Sequence, residues 1–187
     1  MPNYRRARAG RTYFFTVVTY NRQPFLCSEE NRTIIRQVIE EIRLLKPFEI
    51  DAWVLLPDHL HCIWTLPEGD TDYSKRWGLI KARFTKKVGW ALPTEQRALP
   101  AIQSPSRLKH REGFLWQRRF WEHQIRDEKD FEAHCNYIHY NPVKQKYTSA
   151  PKDWAYSTFH KFVKQGAYSA DWGSSSGITL PDDICGE

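Results

Sequence analysis

At 187 residues the chain is long enough to bury a real hydrophobic core and too short for several domains. Apolar residues at 41%, aromatics at 14% and charged residues at 27% exclude wholesale disorder, a collagen-like repeat and a coiled coil, and no apolar run approaches the roughly 20 residues of a membrane helix. Lys and Arg outnumber Asp and Glu by 28 to 22; because residues 165–187 hold four acids and no Lys or Arg, the net charge of +6 becomes +10 over residues 1–164. A basic body with a small acidic tail suits a polyanion partner, although modest basicity also serves solubility alone.

The cysteines Cys27, Cys62, Cys135 and Cys185 lie far apart with no C-x-x-C pair, which removes the signature of zinc ribbons and thioredoxin-like sites. No export signal is read at the start of the chain, so free thiols in a reducing cytoplasm are expected.

In chain order, residues 11–20 (RTYFFTVVTY) are β-branched and aromatic and predict a first strand, ended by Asn21 to Pro24. Ser28 followed by Glu29 and Glu30 makes an N-cap with acids in the first turn. Ile34, Ile35, Val38, Ile39, Ile42 and Leu45 then recur at helical spacing until Pro47. Residues 48–56 and 59–66 predict two strands joined through Pro57 and Asp58 as an antiparallel hairpin. Tyr73, Trp77, Ile80, Phe84 and Val88 mark the apolar stripe of a second helix, whose other positions, Lys75, Arg76, Lys81, Arg83, Lys86 and Lys87, form the densest basic surface in the chain.

Residues 89–113 carry Pro93, Pro100 and Pro105 and are expected to be a long loop inserted in the domain. A fourth strand is expected over 114–125. Asp127 then caps a third helix with a stripe of Phe131, Cys135 and Ile138, which Pro142 should end. The order β, α, β, β, α, β, α predicts an α+β fold, a ferredoxin-like antiparallel sheet with its helices mainly on one face. A C-terminal extension follows, with a short helix from Pro151 and a polar acidic tail over 166–187. The expected division is a domain over 1–165 followed by that tail.

Chemistry concentrates in two places. In His59-Leu60-His61, strand alternation puts both imidazoles on one face with Leu60 on the other, which makes a natural pair of metal ligands. Two hydrogen-bonded structural histidines are the alternative. Tyr137 and Asn141, at i and i+4 of the third helix, share one flank of its buried stripe. A packing tyrosine and an asparagine that ends the helix before Pro142 are the alternative. His134 lies on the same flank and rivals Asn141 for any ligand role.

These segments, FEIDAWVLLPDHLHCIWTLPE at 48–68 and WQRRFWEHQIRDEKDFEAHCNYIHYNPVK at 116–144, together with NYRR at 3–6, closely resemble the REP-associated tyrosine transposases, a branch of the single-tyrosine HUH nucleases. The resemblance spans roughly residues 3–165. It implies an enzyme that cleaves and rejoins single-stranded DNA at the foot of palindromic (REP-like) hairpins. Tyr137 would attack a phosphodiester and become linked to the 5′ phosphate, leaving a free 3′-OH. The phosphotyrosyl bond keeps the phosphodiester for later joining, where attack by water would discard it. A phenol of pKa about 10 is a poor nucleophile at neutral pH, so the developing charge needs help. The resemblance implies a divalent metal, Mg²⁺ or Mn²⁺, held by His59, His61 and Asn141, and two imidazoles suit Mn²⁺ better. Tyr140 is the fallback nucleophile.

DNA is expected to be held by Arg5, Arg6 and Arg8, by Lys75, Arg83 and Lys86 on the basic helix, and by Arg118, Arg119 and Arg126 beside the fourth strand. The N-terminal arginines are the choice for base recognition. Trp77, Trp90 and Trp116 could stack unpaired bases, although the spacing of Trp77 favours the core. The alternatives to a transposase are a DNA-hairpin-binding protein without catalysis on the same scaffold, and a metal-dependent nuclease releasing hydrolysed products. A cytoplasmic, nucleoid-associated monomer is expected, with a dimer exchanging helices as the other arrangement and no membrane as a partner. The acidic tail could regulate access to the basic groove.

Overall fold

The computed structural model of the chain describes residues 10–91, 115–174 and 178. Its centre is a four-stranded antiparallel sheet of β1 (Thr12–Val18), β2 (Glu49–Leu55), β3 (His59–Thr65) and β4 (Trp121–Gln124), ordered β2-β3-β1-β4. Every residue of the central pair β1 and β3 is buried, so each face of the sheet needs a cover.

Two of the three long helices share one face, α1 (Glu29–Leu45) and α2 (Tyr73–Ala91). Ser28 caps α1 by accepting from the Asn31 amide. The helix then buries Ile35, Val38, Ile39 and Ile42, aliphatics worth about 1.5–3 kcal/mol each when fully removed from water. They meet Phe15, Val17, Leu60, Cys62 and Trp64 of the sheet and Trp77, Ile80, Phe84 and Val88 of α2. Trp77 stacks on Trp64 with centroids 4.2 Å apart, and Trp116 is also buried, so both are core. The side chain of Trp90 lies outside what is described.

The other face is covered by α3 (Glu128–Lys144) and the short α4 (Phe159–Lys164). Phe131, Cys135 and Ile138 of α3 pack with Phe14, Ala52, Val54 and Ile63. In the segment beyond Gly166, Tyr168 and Trp172 join the same cluster, so its first residues are part of the packed body. Among the described residues no helix is long and apolar enough to cross a membrane.

Several element ends differ from expectation. The second helix continues past Val88 to Ala91, and the remainder of the expected 89–113 loop, together with Phe114, lies outside the described residues. The fourth strand is shorter than 114–125: Leu115–Phe120 form an irregular strap with an isolated bridge from Trp116 to Thr19, just past the end of β1, before regular pairing begins at Trp121. Pro142 does not end the third helix. A proline removes one amide donor, but the helix runs on to Lys144, and Gln145 N–H still donates to Asn141 O.

Candidate active site

The period-two alternation of β3 sends Leu60, Cys62 and Trp64 toward α1 and α2, which leaves His59, His61 and Ile63 on the face that α3 covers. Both histidines are fully buried. The β1–β3 register sets Thr16 opposite His61 and Val18 opposite His59. Thr16 Oγ1 lies 2.9 Å from His61 Nδ1. On the other nitrogen, Asn141 Nδ2 lies 3.1 Å from His61 Nε2. An amide nitrogen only donates, so Nε2 accepts and Nδ1 carries the proton that is given to Thr16.

His59 has the same polarity by a different route. Its Nδ1 lies 2.6 Å from Asp58 Oδ1, and a carboxylate accepts, so Nδ1 again bears the proton. Asp58 Oδ2 takes Arg22 Nη1 at 3.1 Å, while its backbone oxygen accepts from Thr19 N and Oγ1. Burial raises the Asp58 carboxyl, but the bonds and charges of His59 and Arg22 outweigh it and hold the group below the usual carboxylate value. Arg22 reaches Asp58 from a backbone with φ of 50°, next to Asn21 at 52°. Left-handed geometry in two successive non-glycine residues costs energy that the surrounding contacts sustain.

Helix α3 supplies the rest. Tyr137 and Asn141 are buried on its inner flank, and the Tyr137 ring meets His61 edge-on at 5.2 Å and Phe14 at 6.0 Å. The His59 and His61 rings are 4.9 Å apart. The four residues singled out from the sequence, His59, His61, Tyr137 and Asn141, are thus gathered between β3 and α3. Lys144, one further step along the same flank, donates from Nζ to Tyr137 Oη at 3.3 Å. Three neighbours of the site were missed from sequence: Thr16, Asp58 and Lys144. An acid immediately before the H-x-H and a cation at i+7 from the tyrosine were the available signals.

The donor set fits a divalent cation. Each imidazole engages its Nδ1 with an oxygen partner, an orientation common to metal-bound histidines, and both would ligate through Nε2. His61 Nε2 now accepts from Asn141 Nδ2, so a bound cation would take the place of that hydrogen bond and Asn141 would turn its amide oxygen inward. Asn141 offers a buried amide oxygen. Two imidazoles and one carboxamide suit Mn²⁺ readily and Mg²⁺ less so.

His134, the rival of Asn141, turns away. Its Nδ1 bonds Asp130 O at 2.8 Å and lies 3.1 Å from Asp130 Oδ1, and burial holds its pKa below the ordinary value. His123, Asp130 and His134 bring ligand atoms within 4.8 Å of one another, a grouping that could hold a metal ion. Their present arrangement is a hydrogen-bond hub. The two imidazoles stack at 4.6 Å and 12°, so their in-plane lone pairs do not converge on one point, and Asp130 Oδ2 is shared by His123, Arg126 N and Arg126 Nε.

The expected DNA-binding residues scatter more widely. Arg5, Arg6 and Arg8 lie outside the described residues. Lys75, Arg83 and Lys86 sit on α2, across the sheet from the histidines. Much of that helix's charge serves the fold: Arg83 and Lys87 both bind Glu41 of α1, Lys81 bonds Gln117 O, and Arg76 is buried against Asp70. Lys75 and Lys86 are exposed. Arg118 and Arg119 are exposed on the strap, whose Gln117 bonds Val18 O, beside the β1 residues that pair with His59 and His61. Arg126 is 76% exposed and bound to Asp130.

No family model matches the chain. It is 43% identical over 173 residues to the REP-associated tyrosine transposase of Escherichia coli (strain K12), covering 92% of this chain and 91% of that one. It is 42% identical to a Haemophilus influenzae (strain ATCC 51907 / DSM 11121 / KW20 / Rd) protein of the same family description, covering 98% and 100%. A solved structure described as the REP-associated tyrosine transposase bound to a REP hairpin matches with a TM-score of 0.75 and 40% identity, covering 100% and 98%. With the sheet, the helices and most of the length shared, the chain belongs to the REP-associated tyrosine transposase family.

Proposed function

We propose that this protein cleaves and rejoins single-stranded DNA at REP-like palindromic hairpins through a 5′-phosphotyrosine on Tyr137. The observation that carries the reading is the meeting of a buried tyrosine, two imidazoles each held at Nδ1 by an oxygen partner, and an asparagine at one point between β3 and α3. A hairpin substrate is supported by the matching structure, described as bound to a REP hairpin.

His59, His61 and Asn141 would hold a divalent metal, Mg²⁺ or Mn²⁺, which when bound would supply Lewis-acid polarisation of the scissile phosphate. The chain's own residues do the remaining work. Asp58 and Thr16 fix both imidazoles by their Nδ1 protons. Phe14 and His61 restrict the Tyr137 ring, so that its oxygen is presented in one direction. Attack by Oη forms the tyrosyl–phosphate bond and expels the 3′ oxygen, and the reverse attack by a 3′-OH rejoins a strand. Arg118 and Arg119 hold backbone phosphates beside the site, with Arg126, Lys75, Arg83 and Lys86 along the outer DNA path and Arg5, Arg6 and Arg8 reading bases. All four central residues come from one chain, so the site needs no helix exchanged with a second copy, which supports a monomer; its place of work is the nucleoid in the cytoplasm.

The test is denaturing electrophoresis of the protein with Mn²⁺ and a 3′-labelled single-stranded hairpin, beside Tyr137→Phe. The expected result is label at protein size in the wild type alone. Cleaved product with no protein-linked label in either would refute the phosphotyrosine and favour hydrolysis.

A further inference from the structure

Tyr137, Asn141 and Lys144 occupy i, i+4 and i+7 of α3, so one helical flank carries all three. The continuation of the helix through Pro142 is what keeps Lys144 on that flank. The helix closes directly after it, with Gln145 N–H on Asn141 O and Lys146 at φ 62°. Lys144 Nζ lies 3.3 Å from Tyr137 Oη and 4.7 Å from the ring centroid. Tyr137 is only 2% exposed, whereas Lys144 is exposed, so the ammonium lies on the solvent side of the phenol. A lysine in the last turn of a helix also complements the helix dipole, and a purely structural role would stop there. The contact with the phenol oxygen goes beyond that.

We propose that Lys144 is a catalytic residue of strand cleavage, its ammonium holding the Tyr137 oxygen and neutralising the charge that passes from phenolate to phosphate. This rests on Tyr137 being the nucleophile. In the step, the phenol proton leaves to solvent and the Oη electron pair forms the bond to phosphorus. The bond from phosphorus to the 3′ oxygen breaks with its pair on that oxygen, which takes a proton from water. Lys144 keeps its proton throughout and supplies a fixed positive charge at the phenol oxygen where negative charge develops, beside the rings of Phe14 and His61. In the rejoining direction the same ammonium stabilises the departing phenolate.

The test compares the full-length wild type with Lys144→Met, Lys144→Gln, Lys144→Arg and Tyr137→Phe. Single-turnover adduct formation is measured at saturating 3′-labelled hairpin with Mn²⁺, hairpin affinity by gel shift without metal, and folding by thermal melting. Lys144→Met and Lys144→Gln are expected to slow adduct formation by roughly 100-fold. Hairpin affinity should stay within about threefold, the loss of at most one phosphate contact. Lys144→Arg, which keeps the charge, should retain at least roughly a tenth of the wild-type rate. Wild-type rates in Lys144→Met, or a loss confined to affinity with the saturated rate intact, would overturn the proposal. So would equal loss in the Arg and Met variants. Tyr137→Phe reports separately: an adduct persisting there removes the nucleophile assignment itself, whereas its disappearance alongside an unaffected Lys144→Met removes only the role of Lys144.

Discussion

Asp58→Ala isolates the orientation of His59 from its presence. The carboxylate receives the His59 Nδ1 proton at 2.6 Å and is steadied by Arg22 at 3.1 Å. The backbone tie survives truncation, because Thr19 bonds the Asp58 carbonyl oxygen. His59 is 1% exposed, so water cannot readily replace the lost acceptor. The imidazole must then bury an unsatisfied N–H, at about 1–3 kcal/mol, or move its proton to Nε2 and lose the lone pair a metal needs. Removing such a partner typically weakens metal binding 10- to 100-fold, about 1.4–2.7 kcal/mol. The assay is the Mn²⁺ concentration giving half-maximal adduct, with urea unfolding in parallel. The expected outcome is a 10- to 100-fold rise for Ala and a smaller rise for Asn, which keeps an acceptor oxygen. A half-maximal concentration within about threefold of wild type in a folded Asp58→Ala protein would refute the reasoning.

Asp130→Ala should destabilise the fold by about 2–3 kcal/mol in urea unfolding, because one carboxylate serves His123, His134 and two donors of Arg126. That carboxyl is drawn down to about 2, burial being outweighed chiefly by the Arg126 amide and His123. A chain ending at Gly166 loses Tyr168, which is buried, stacked on Trp172 at 4.4 Å and bonded to His139, and should lose about 3–5 kcal/mol. A melting temperature equal to the full chain's would contradict that packing. Burial pushes the Cys62 and Cys135 thiols well up and Cys27 up to about 11, so iodoacetamide at pH 8 should leave all three unmodified until denaturant is added, as peptide mapping would read.

The histidine pair and the Tyr137–Asn141 pair were legible in the sequence because strand alternation and helical spacing are local properties. The partners that orient them were not. Thr16 meets His61 only through the β1–β3 register, which requires two segments more than forty residues apart to pair. Asp58 reads as an ordinary turn acid until the hairpin turns its carboxylate onto the next residue. Lys144 was hidden by the expectation that Pro142 stops the helix. The basic face of α2 overstated its free charge, since Arg83 and Lys87 share Glu41 on a neighbouring helix and Arg76 is buried on Asp70. The sheet, by contrast, followed from the chain order of its elements, and the complete burial of β1 and β3 explains why α3 must cover the face opposite α1 and α2.

The most direct test of the central claim is to locate the covalent bond. The Mn²⁺-dependent adduct with a hairpin oligonucleotide would be digested with nuclease and trypsin, and the peptide spanning residues 130–144 sequenced by tandem mass spectrometry. A 5′-phosphonucleotide on Tyr137 is the predicted result. The same mass on Tyr140, which meets Trp172 instead of the histidines, or an unmodified peptide from cleaved samples, would contradict the account.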